Sequence, residues 1–187
     1  MQVDRATGLL RGARFAASPH QNARPEGAGI ELVVIHGISL PPGSFGGPWI
    51  ERLFLGRLAA EAHPSFADLH GLRVSAHLLV RRSGRIVQYV PLHRRAWHAG
   101  VSAWHGREGV NDFSVGIELE GAEGLPYEGA QYRAVAAAVA ALAAVHPAID
   151  DERVVAHADV SPARKIDPWA SFDWPRFRRL VAEASRR

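Results

Sequence analysis

Two histidines and one aspartate have the types and positions needed to bind a metal ion. His36 directly follows an apolar, β-branched run at residues 31–35, and His157 directly follows a similar run at residues 153–156. Asp167 lies ten residues beyond His157, across a proline-rich loop. Two neutral imidazoles and a carboxylate suit zinc, and three protein ligands leave a fourth position open, as in catalytic zinc sites. The spacing suggests a hydrolytic zinc centre, and a structural role for the two histidines is the alternative.

Two further kinds of charged side chain could assist hydrolysis. Glu118 and Glu120 stand at the end of an apolar strand predicted at residues 113–119. Because side chains alternate between the two faces of a strand, both carboxylates lie on the same face. A carboxylate at the end of such a strand is partly desolvated, which raises its pKa and suits a general base. Lys165 is the only lysine beside 21 arginines, and it stands two residues before Asp167, where it could stabilise an oxyanion. The alternatives are a solvated strand end and a lysine in a surface salt bridge.

Aromatic and arginine side chains are the candidates for ligand recognition. Trp97 could stack on a sugar ring, or it could simply close the edge of the core. Arg73, Arg107 and Arg164 could pair with ligand carboxylates through their planar guanidinium groups, and each could instead form a surface salt bridge. His77 stands in the middle of an apolar strand and is interpreted as a core histidine.

The elements that must position these residues alternate between strands and helices. Apolar, β-branched runs predict strands at residues 31–35, 73–80, 85–90, 113–119 and 153–156. A turn at Ser83-Gly84 makes the second and third of these a hairpin. Helices are predicted at residues 49–62, 127–145 and 173–184, the last capped by Asp173. Loops are predicted at residues 17–29, 39–48, 93–112 and 158–172. The simplest architecture is a mixed sheet with helices on its faces.

Length and composition predict one globular domain spanning residues 1–187. The chain is 47% hydrophobic and 22% charged, has no cysteine, and carries a net charge of +3. The lack of cysteine excludes disulfides, thiolate metal sites and a cysteine nucleophile. The arginines are scattered rather than clustered, which disfavours nucleic-acid binding. No apolar run approaches the roughly 18 residues of a membrane span, and the N-terminus lacks the features of a signal peptide.

Several long stretches resemble the zinc-dependent N-acetylmuramoyl-L-alanine amidases. They include VVIHGISLPPGSFGGPWI, NDFSVGIELEG and AHADVSPARKIDPWASFDW, and the similarity runs from about residue 18 to the last helix. The similarity is greatest to the branch that acts on 1,6-anhydro-N-acetylmuramoyl-L-alanine in cytoplasmic peptidoglycan recycling. The resemblance implies an α/β fold, a central mixed β-sheet flanked by helices, shared with peptidoglycan recognition proteins.

The resemblance also implies a role for individual residues. By motif, the metal ligands of the family fall on His36, His157 and Asp167, and its catalytic carboxylate and lysine on Glu118 and Lys165. The implied reaction is hydrolysis of the amide between the lactyl group of (anhydro)muramic acid and the L-alanine of the stem peptide.

The implied partner is a muropeptide, bound by a cytoplasmic monomer that contacts neither nucleic acid nor membrane. Its stem peptide carries several carboxylates, which gives arginines a reason to line the groove. Arg73, Trp97 and Arg164 are the candidate substrate contacts.

The sequence departs from the recycling branch at three positions. Gly37 stands where an asparagine is expected, Gly109 replaces an arginine, and Trp169 stands in a segment where a glycine is expected. These changes bear on how the substrate is held and on the shape of the rim, and they leave the predicted chemistry intact.

Three other functions compete with this interpretation. A non-catalytic peptidoglycan-binding module would often lack a zinc ligand, whereas all three are present. A lytic amidase would act on intact cell wall. A zinc peptidase fits the ligand types, but the sequence lacks the HExxH helix of that class.

Overall fold

The computed structural model describes residues 1–186. Its strands are β1 (Val3–Asp4), β2 (Leu9–Leu10), β3 (Arg14–Phe15), β4 (Gln21–Ala23), β5 (Leu32–Ile38), β6 (Leu78–Val80), β7 (Ile86–Gln88), β8 (Arg94–Ala96), β9 (Ala103–Trp104), β10 (Arg107–Glu108), β11 (Ser114–Glu120) and β12 (Val154–Ala156). Its α-helices are α1 (Trp49–Phe54), α2 (Gly129–Ala143), α3 (His157–Val160) and α4 (Trp174–Ser185).

A six-stranded mixed sheet forms the centre of the molecule. Its strand order is β12-β5-β11-β6-β7-β3, in which only β6 and β7 are antiparallel neighbours. Strand β11 pairs with β5 on one side and β6 on the other, and every one of its residues is buried. Strands buried on both faces read as continuous apolar runs, which is why these segments were recognisable. The predicted fold class and the predicted hairpin are confirmed.

Helices α2 and α4 cover one face of the sheet. The apolar residues of α2 that face the sheet are buried with those of β5 and β11 in the largest core cluster. At the start of helix α2, the side chain of Gln131 accepts a hydrogen bond from the backbone N–H of Glu128 over 3.0 Å. Helix α4 begins with the predicted cap, because the side chain of Asp173 accepts a hydrogen bond from the N–H of Arg176.

Several predicted element boundaries were wrong. Of the strand predicted at residues 73–80, only Leu78–Val80 forms β6, and the loop predicted at residues 158–172 begins inside helix α3. Strand β5 does not end at residue 35: its parallel pairing with β11 continues to Ile38, so His36 lies within the strand. The helix predicted at residues 49–62 ends at Phe54, because Gly56 adopts a left-handed conformation with φ of 66°. Short 3₁₀ helices at Ala60–Ala62 and Pro64–Leu69 follow it.

Two predicted loops contain short strands. The segment at residues 17–29 contains β4, and the segment at residues 93–112 contains β8, which pairs with β4 in an antiparallel ribbon. The same segment also contains the β9–β10 hairpin. Among the described residues, none of the helices combines the length and apolarity needed to cross a bilayer.

Candidate metal centre

The predicted metal ligands come from neighbouring elements of the sheet. His36 lies in β5, and the parallel register places it directly opposite Glu118 in β11. On the other side of β5, Ala156 of β12 pairs with Ile35, and the chain then turns into α3 with His157 as its first residue. The strand ends of a parallel sheet lie at one edge, so residues distant in sequence meet there.

Three ligand atoms converge at this edge. The Nδ1 atoms of His36 and His157 are 2.9 Å apart, and Oδ2 of Asp167 lies 3.1 Å from Nδ1 of His157 and 3.5 Å from Nδ1 of His36. Tetrahedral zinc with bonds of ~2.0–2.1 Å would separate its ligands by about 3.3 Å. The triangle therefore has the dimensions and the donor types of a three-ligand zinc site.

Contacts with the surrounding backbone orient two of these ligands. His157 Nε2 lies 3.4 Å from the carbonyl oxygen of Ala99, a position from which it can donate its proton and leave Nδ1 as a lone-pair donor. The N–H of Gly37 donates to Asp167 Oδ2 over 3.3 Å. Burial lowers the pKa of His36 to about 4, so its imidazole is neutral at pH 7, as a metal ligand must be.

The Glu118 carboxyl group faces the same cleft. Its side chain is buried, and its Oε2 atom has no hydrogen-bond partner within the described structure. Burial, followed by the nearby charge of Asp167, raises its pKa well above the usual range for glutamate. The solvated strand end considered as the alternative is wrong, because Glu120 is buried as well. An unpartnered buried carboxylate beside a metal-binding cluster has the chemistry of a general base.

The Lys165 side chain lines this cleft together with the three candidate ligands and Glu118. It is half-buried, and within residues 1–186 no carboxylate oxygen lies within 4.0 Å of its Nζ atom. The surface salt bridge that is the alternative role for this lysine is therefore not formed. An ammonium group that is not paired with a carboxylate is available to a substrate oxygen.

The three candidate substrate contacts have different positions. Trp97 lines the cleft, and its indole N–H donates to Asn22 over 2.8 Å, which fixes the ring. The guanidinium of Arg73 lies 5.2 Å from the centre of the Trp97 ring, at the rim. Arg164 lies outside the cleft lining, and its Nη2 atom donates to the carbonyl oxygens of Ala99 and Val101.

Comparison with known families agrees with this site. A family model described as N-acetylmuramoyl-L-alanine amidase matches residues 26–170, which include every candidate metal ligand and catalytic residue. The chain belongs to this amidase family. It is therefore a hydrolase of amide bonds, as its relatives are named.

Individual amidases match over nearly the whole chain. The 1,6-anhydro-N-acetylmuramyl-L-alanine amidase AmpD of Salmonella typhimurium is 55% identical over 180 residues, which are 96% of each protein. A crystal structure of a selenomethionine derivative of AmpD superposes with a TM-score of 0.93 at 54% identity, covering 97% of this chain and 99% of that one. A structure of the amidase AmiD of Escherichia coli superposes with a TM-score of 0.60 at 32% identity, covering 84% of this chain and 60% of that one. That structure contains the substrate anhydro-N-acetylmuramic acid-L-Ala-D-gamma-Glu-L-Lys.

The structure also places in the amidase site residues that sequence reasoning missed. His98 contacts the ring of His36, and Asn111 holds the segment that carries His98. The sequence predicts only that His98 lies in the loop at residues 93–112, because its contacts are with residues far away in the chain. His77, predicted to be a core histidine, is fully buried, and its Nδ1 accepts a hydrogen bond from the N–H of Gly116.

Proposed function

We propose that this amidase uses zinc to hydrolyse the bond between (1,6-anhydro-)N-acetylmuramic acid and the L-alanine of a stem peptide in cytoplasmic peptidoglycan recycling. The observation that carries the proposal is the convergence of two imidazole nitrogens and a carboxylate oxygen beside the unpartnered carboxyl group of Glu118. The high identity to AmpD over nearly the whole chain supports the substrate class.

The proposed zinc ligands are Nδ1 of His36, Nδ1 of His157 and Oδ2 of Asp167. When bound, zinc would polarise the amide carbonyl and lower the pKa of a water molecule in the cleft. Two nitrogens and one oxygen suit zinc better than magnesium or calcium, which prefer oxygen ligands.

Glu118 and Lys165 supply the proton transfer and the oxyanion contact in this proposal. Glu118 removes a proton from the attacking water and returns it to the amine of L-alanine as the amide bond breaks. Lys165 donates a hydrogen bond to the oxygen of the former carbonyl as negative charge develops there. Both side chains line the cleft that contains the three ligands.

The substrate is a muropeptide, and the structure suggests how the chain would hold it. Trp97 presents an anchored aromatic face that could stack on the sugar, and Arg73 lies beside it with a charge suited to a stem-peptide carboxylate. Arg164 lies outside the cleft lining and, within the described part of the chain, holds the loop through Nη2 alone, so its Nε and Nη1 N–H groups remain for a stem-peptide carboxylate that extends beyond the cleft. A monomer suffices, since one chain supplies all of these groups.

The test is hydrolysis of a purified anhydromuropeptide by the zinc-loaded protein. We expect release of the free stem peptide, and we expect Glu118→Gln and Lys165→Met each to lower kcat by about 100-fold or more while retaining zinc. Glu123→Gln, at an exposed carboxylate just after β11, is the matched control and should keep the activity of the original chain. Full activity of Glu118→Gln would contradict the proposed base.

A second substrate identifies the biological setting. We expect anhydromuropeptides to be cleaved much faster than intact sacculi under the same conditions. Equal rates would instead indicate a lytic amidase. Zinc-independent binding without hydrolysis would indicate a peptidoglycan-recognition module.

A further inference from the structure

His98 lies between the candidate ligand His36 and a buried serine. Its Nδ1 is 2.9 Å from Nε2 of His36, and its Nε2 is 3.1 Å from Oγ of Ser114. The two imidazole rings are nearly perpendicular, with an interplanar angle of 86°. His98 has no part in the reaction proposed above, yet its ring makes the only polar contact of His36 on the side away from the ligand cluster among the described residues.

One backbone carbonyl determines which atoms carry the protons in the series of hydrogen bonds that links His36, His98 and Ser114. Oγ of Ser114 lies 2.6 Å from the carbonyl oxygen of Val110, and a carbonyl can only accept. The single hydroxyl proton of Ser114 is therefore used there, and its oxygen must accept from Nε2 of His98. A neutral His98 with its proton on Nε2 has a lone pair on Nδ1.

The same reasoning extends to the metal ligand. The lone pair on Nδ1 of His98 faces Nε2 of His36, which must then carry the proton. Nδ1 of His36 is left as the lone-pair donor, and it is this atom that faces His157 and Asp167. We propose that His98, oriented by Ser114, is a positioning residue that fixes the tautomer and orientation of His36 for metal binding.

The surroundings of His98 support this role. A Cβ atom at Gly116 would lie only 2.4 Å from the imidazole ring of His98, so the glycine provides the space that the ring occupies. The backbone N–H groups of His98 and Ala99 both donate to Oδ1 of Asn111, over 3.1 and 2.9 Å. Asn111 thus fixes the backbone at residues 98–99, and Gly116 leaves the space in which the ring of His98 packs.

The adjacent carbonyl makes a similar contact with the other histidine ligand. Ala99 offers its oxygen to Nε2 of His157, while His98 offers its ring to Nε2 of His36. Two consecutive residues therefore orient both imidazole ligands toward the same point. Partners of this kind, which hold a ligand from behind, typically contribute 10–100-fold in metal affinity.

The inference rests on the proposed function for the identity of the metal, and zinc affinity is its first test. The full chain is titrated against a competing chelator in the original form, as His98→Leu and as His98→Asn. Leucine fills space without accepting a hydrogen bond, and we expect zinc to bind about 10–100-fold more weakly. Asparagine places an amide oxygen near the position of Nδ1, and we expect affinity within about threefold of the original. Equal affinities in the original and leucine forms would overturn the proposal.

A spectroscopic test separates the positioning role from simple packing. Long-range ¹H–¹⁵N correlation spectra of the full chain report which nitrogen of each histidine is protonated. We expect His98 to carry its proton on Nε2, and we expect Ser114→Ala to shift it toward Nδ1. Ser102→Ala, a buried serine in the same segment whose hydroxyl donates to the carbonyl of Gly100, should leave the tautomer unchanged. A proton on Nδ1 of His98 in the original chain would refute the proposed order of hydrogen bonds from Ser114 through His98 to His36.

The two tests also distinguish a failure of the proposed function from a failure of the positioning role. If the original chain bound no zinc, the proposed function would fail. The tautomer of His98 can be measured with or without metal, so it would still decide whether His98 positions His36. If zinc bound and the tautomer were wrong, only the positioning role would fail.

Discussion

Gly37 and Trp169 are two departures from the family pattern that the structure shows to be in contact. A Cβ atom at Gly37 would lie 2.3 Å from the indole ring of Trp169 and 2.5 Å from the hydroxyl of Tyr127. Trp169 itself has a positive φ of 64°, a conformation that favours glycine. The indole ring thus fills the space that a side chain at residue 37 would need, beside the proposed ligand His36. The tryptophan at residue 169 therefore requires a glycine at residue 37.

This contact predicts that the two positions are coupled. We expect Gly37→Ala to lower the free energy of unfolding by about 1–3 kcal/mol, because the added methyl overpacks the site. In a Trp169→Gly background the same substitution should cost at least ~1 kcal/mol less, since the indole ring is gone and only the Tyr127 hydroxyl still contacts the added methyl. Urea denaturation of the four proteins measures this. Additive effects would show that the clash is relieved elsewhere.

At the scale of single residues, the sequence could predict ligand types but not their support. His36, His157 and Asp167 are predicted as ligands because they follow apolar strand runs or stand in a recognisable motif, and the structure brings the three together. His98 was missed because its partners, His36 and Ser114, are separated from it by 62 and 16 positions and meet it only in the folded sheet. A glycine such as Gly116 gives no signal in a sequence that it is making space for a distant ring.

At the scale of elements, β11 carries two carboxylates with different roles. Glu118 faces the metal cluster, and Glu120, two residues on, anchors the loop at residues 39–48. Oε1 of Glu120 accepts hydrogen bonds from Arg81 over 2.9 Å and from the N–H of Gly46 over 2.6 Å, and Oε2 accepts one from the N–H of Arg82. Strand β11 thus places the Glu118 carboxyl group in the cleft and, through Glu120, holds the loop at residues 39–48 beside it.

The buried Glu120–Arg81 pair predicts a large loss of stability when one partner is neutralised. We expect Glu120→Gln to lower the free energy of unfolding by about 3 kcal/mol, because the buried guanidinium loses its counter-charge. Glu31→Gln, which removes exposed pairs with Arg107 and Arg153, is the control and should cost less than about 1 kcal/mol. Equal costs in urea denaturation would argue against the anchoring role of Glu120.

Element prediction succeeded where patterns are local and failed where pairing is distant. The apolar runs of β5 and β11 and the capped helix α4 were evident from neighbouring residues. The two-residue strands near the N-terminus and β4 were missed, since their pairing partners lie elsewhere and their sequences lack a strand pattern. The end of α1 was misplaced because an apolar helical pattern continues past Gly56, where the backbone turns.

At the scale of the whole molecule, the ligand cluster ties together segments far apart in the chain. His36 lies 121 residues before His157, and Asp167 follows a further ten residues on. A metal ion that binds the native arrangement and not the unfolded chain stabilises the fold by mass action.

This linkage predicts a zinc-dependent melting temperature. At free zinc about 1,000-fold above its Kd, the stabilisation is about 4 kcal/mol. For a chain of this length, that should raise the Tm by roughly 8–16 °C. Scanning calorimetry with zinc and then with excess chelator measures the difference. Asp167→Ala should show little response to either, and a Tm of the original chain that ignores chelation would contradict the proposed site.

The direct pairing of His36 with Glu118 has a consequence for how this scaffold can diversify. Adjacent strands keep a spacing of about 4.8 Å, so the proposed base and the first proposed ligand are held in place by backbone hydrogen bonds rather than by loop contacts. The apolar wall of the cleft, by contrast, includes Leu69, at the end of the 3₁₀ helix Pro64–Leu69, and Leu72, in the segment that follows it, both outside the sheet. Laboratory evolution of that segment can therefore explore new specificities without disturbing the hydrolytic apparatus.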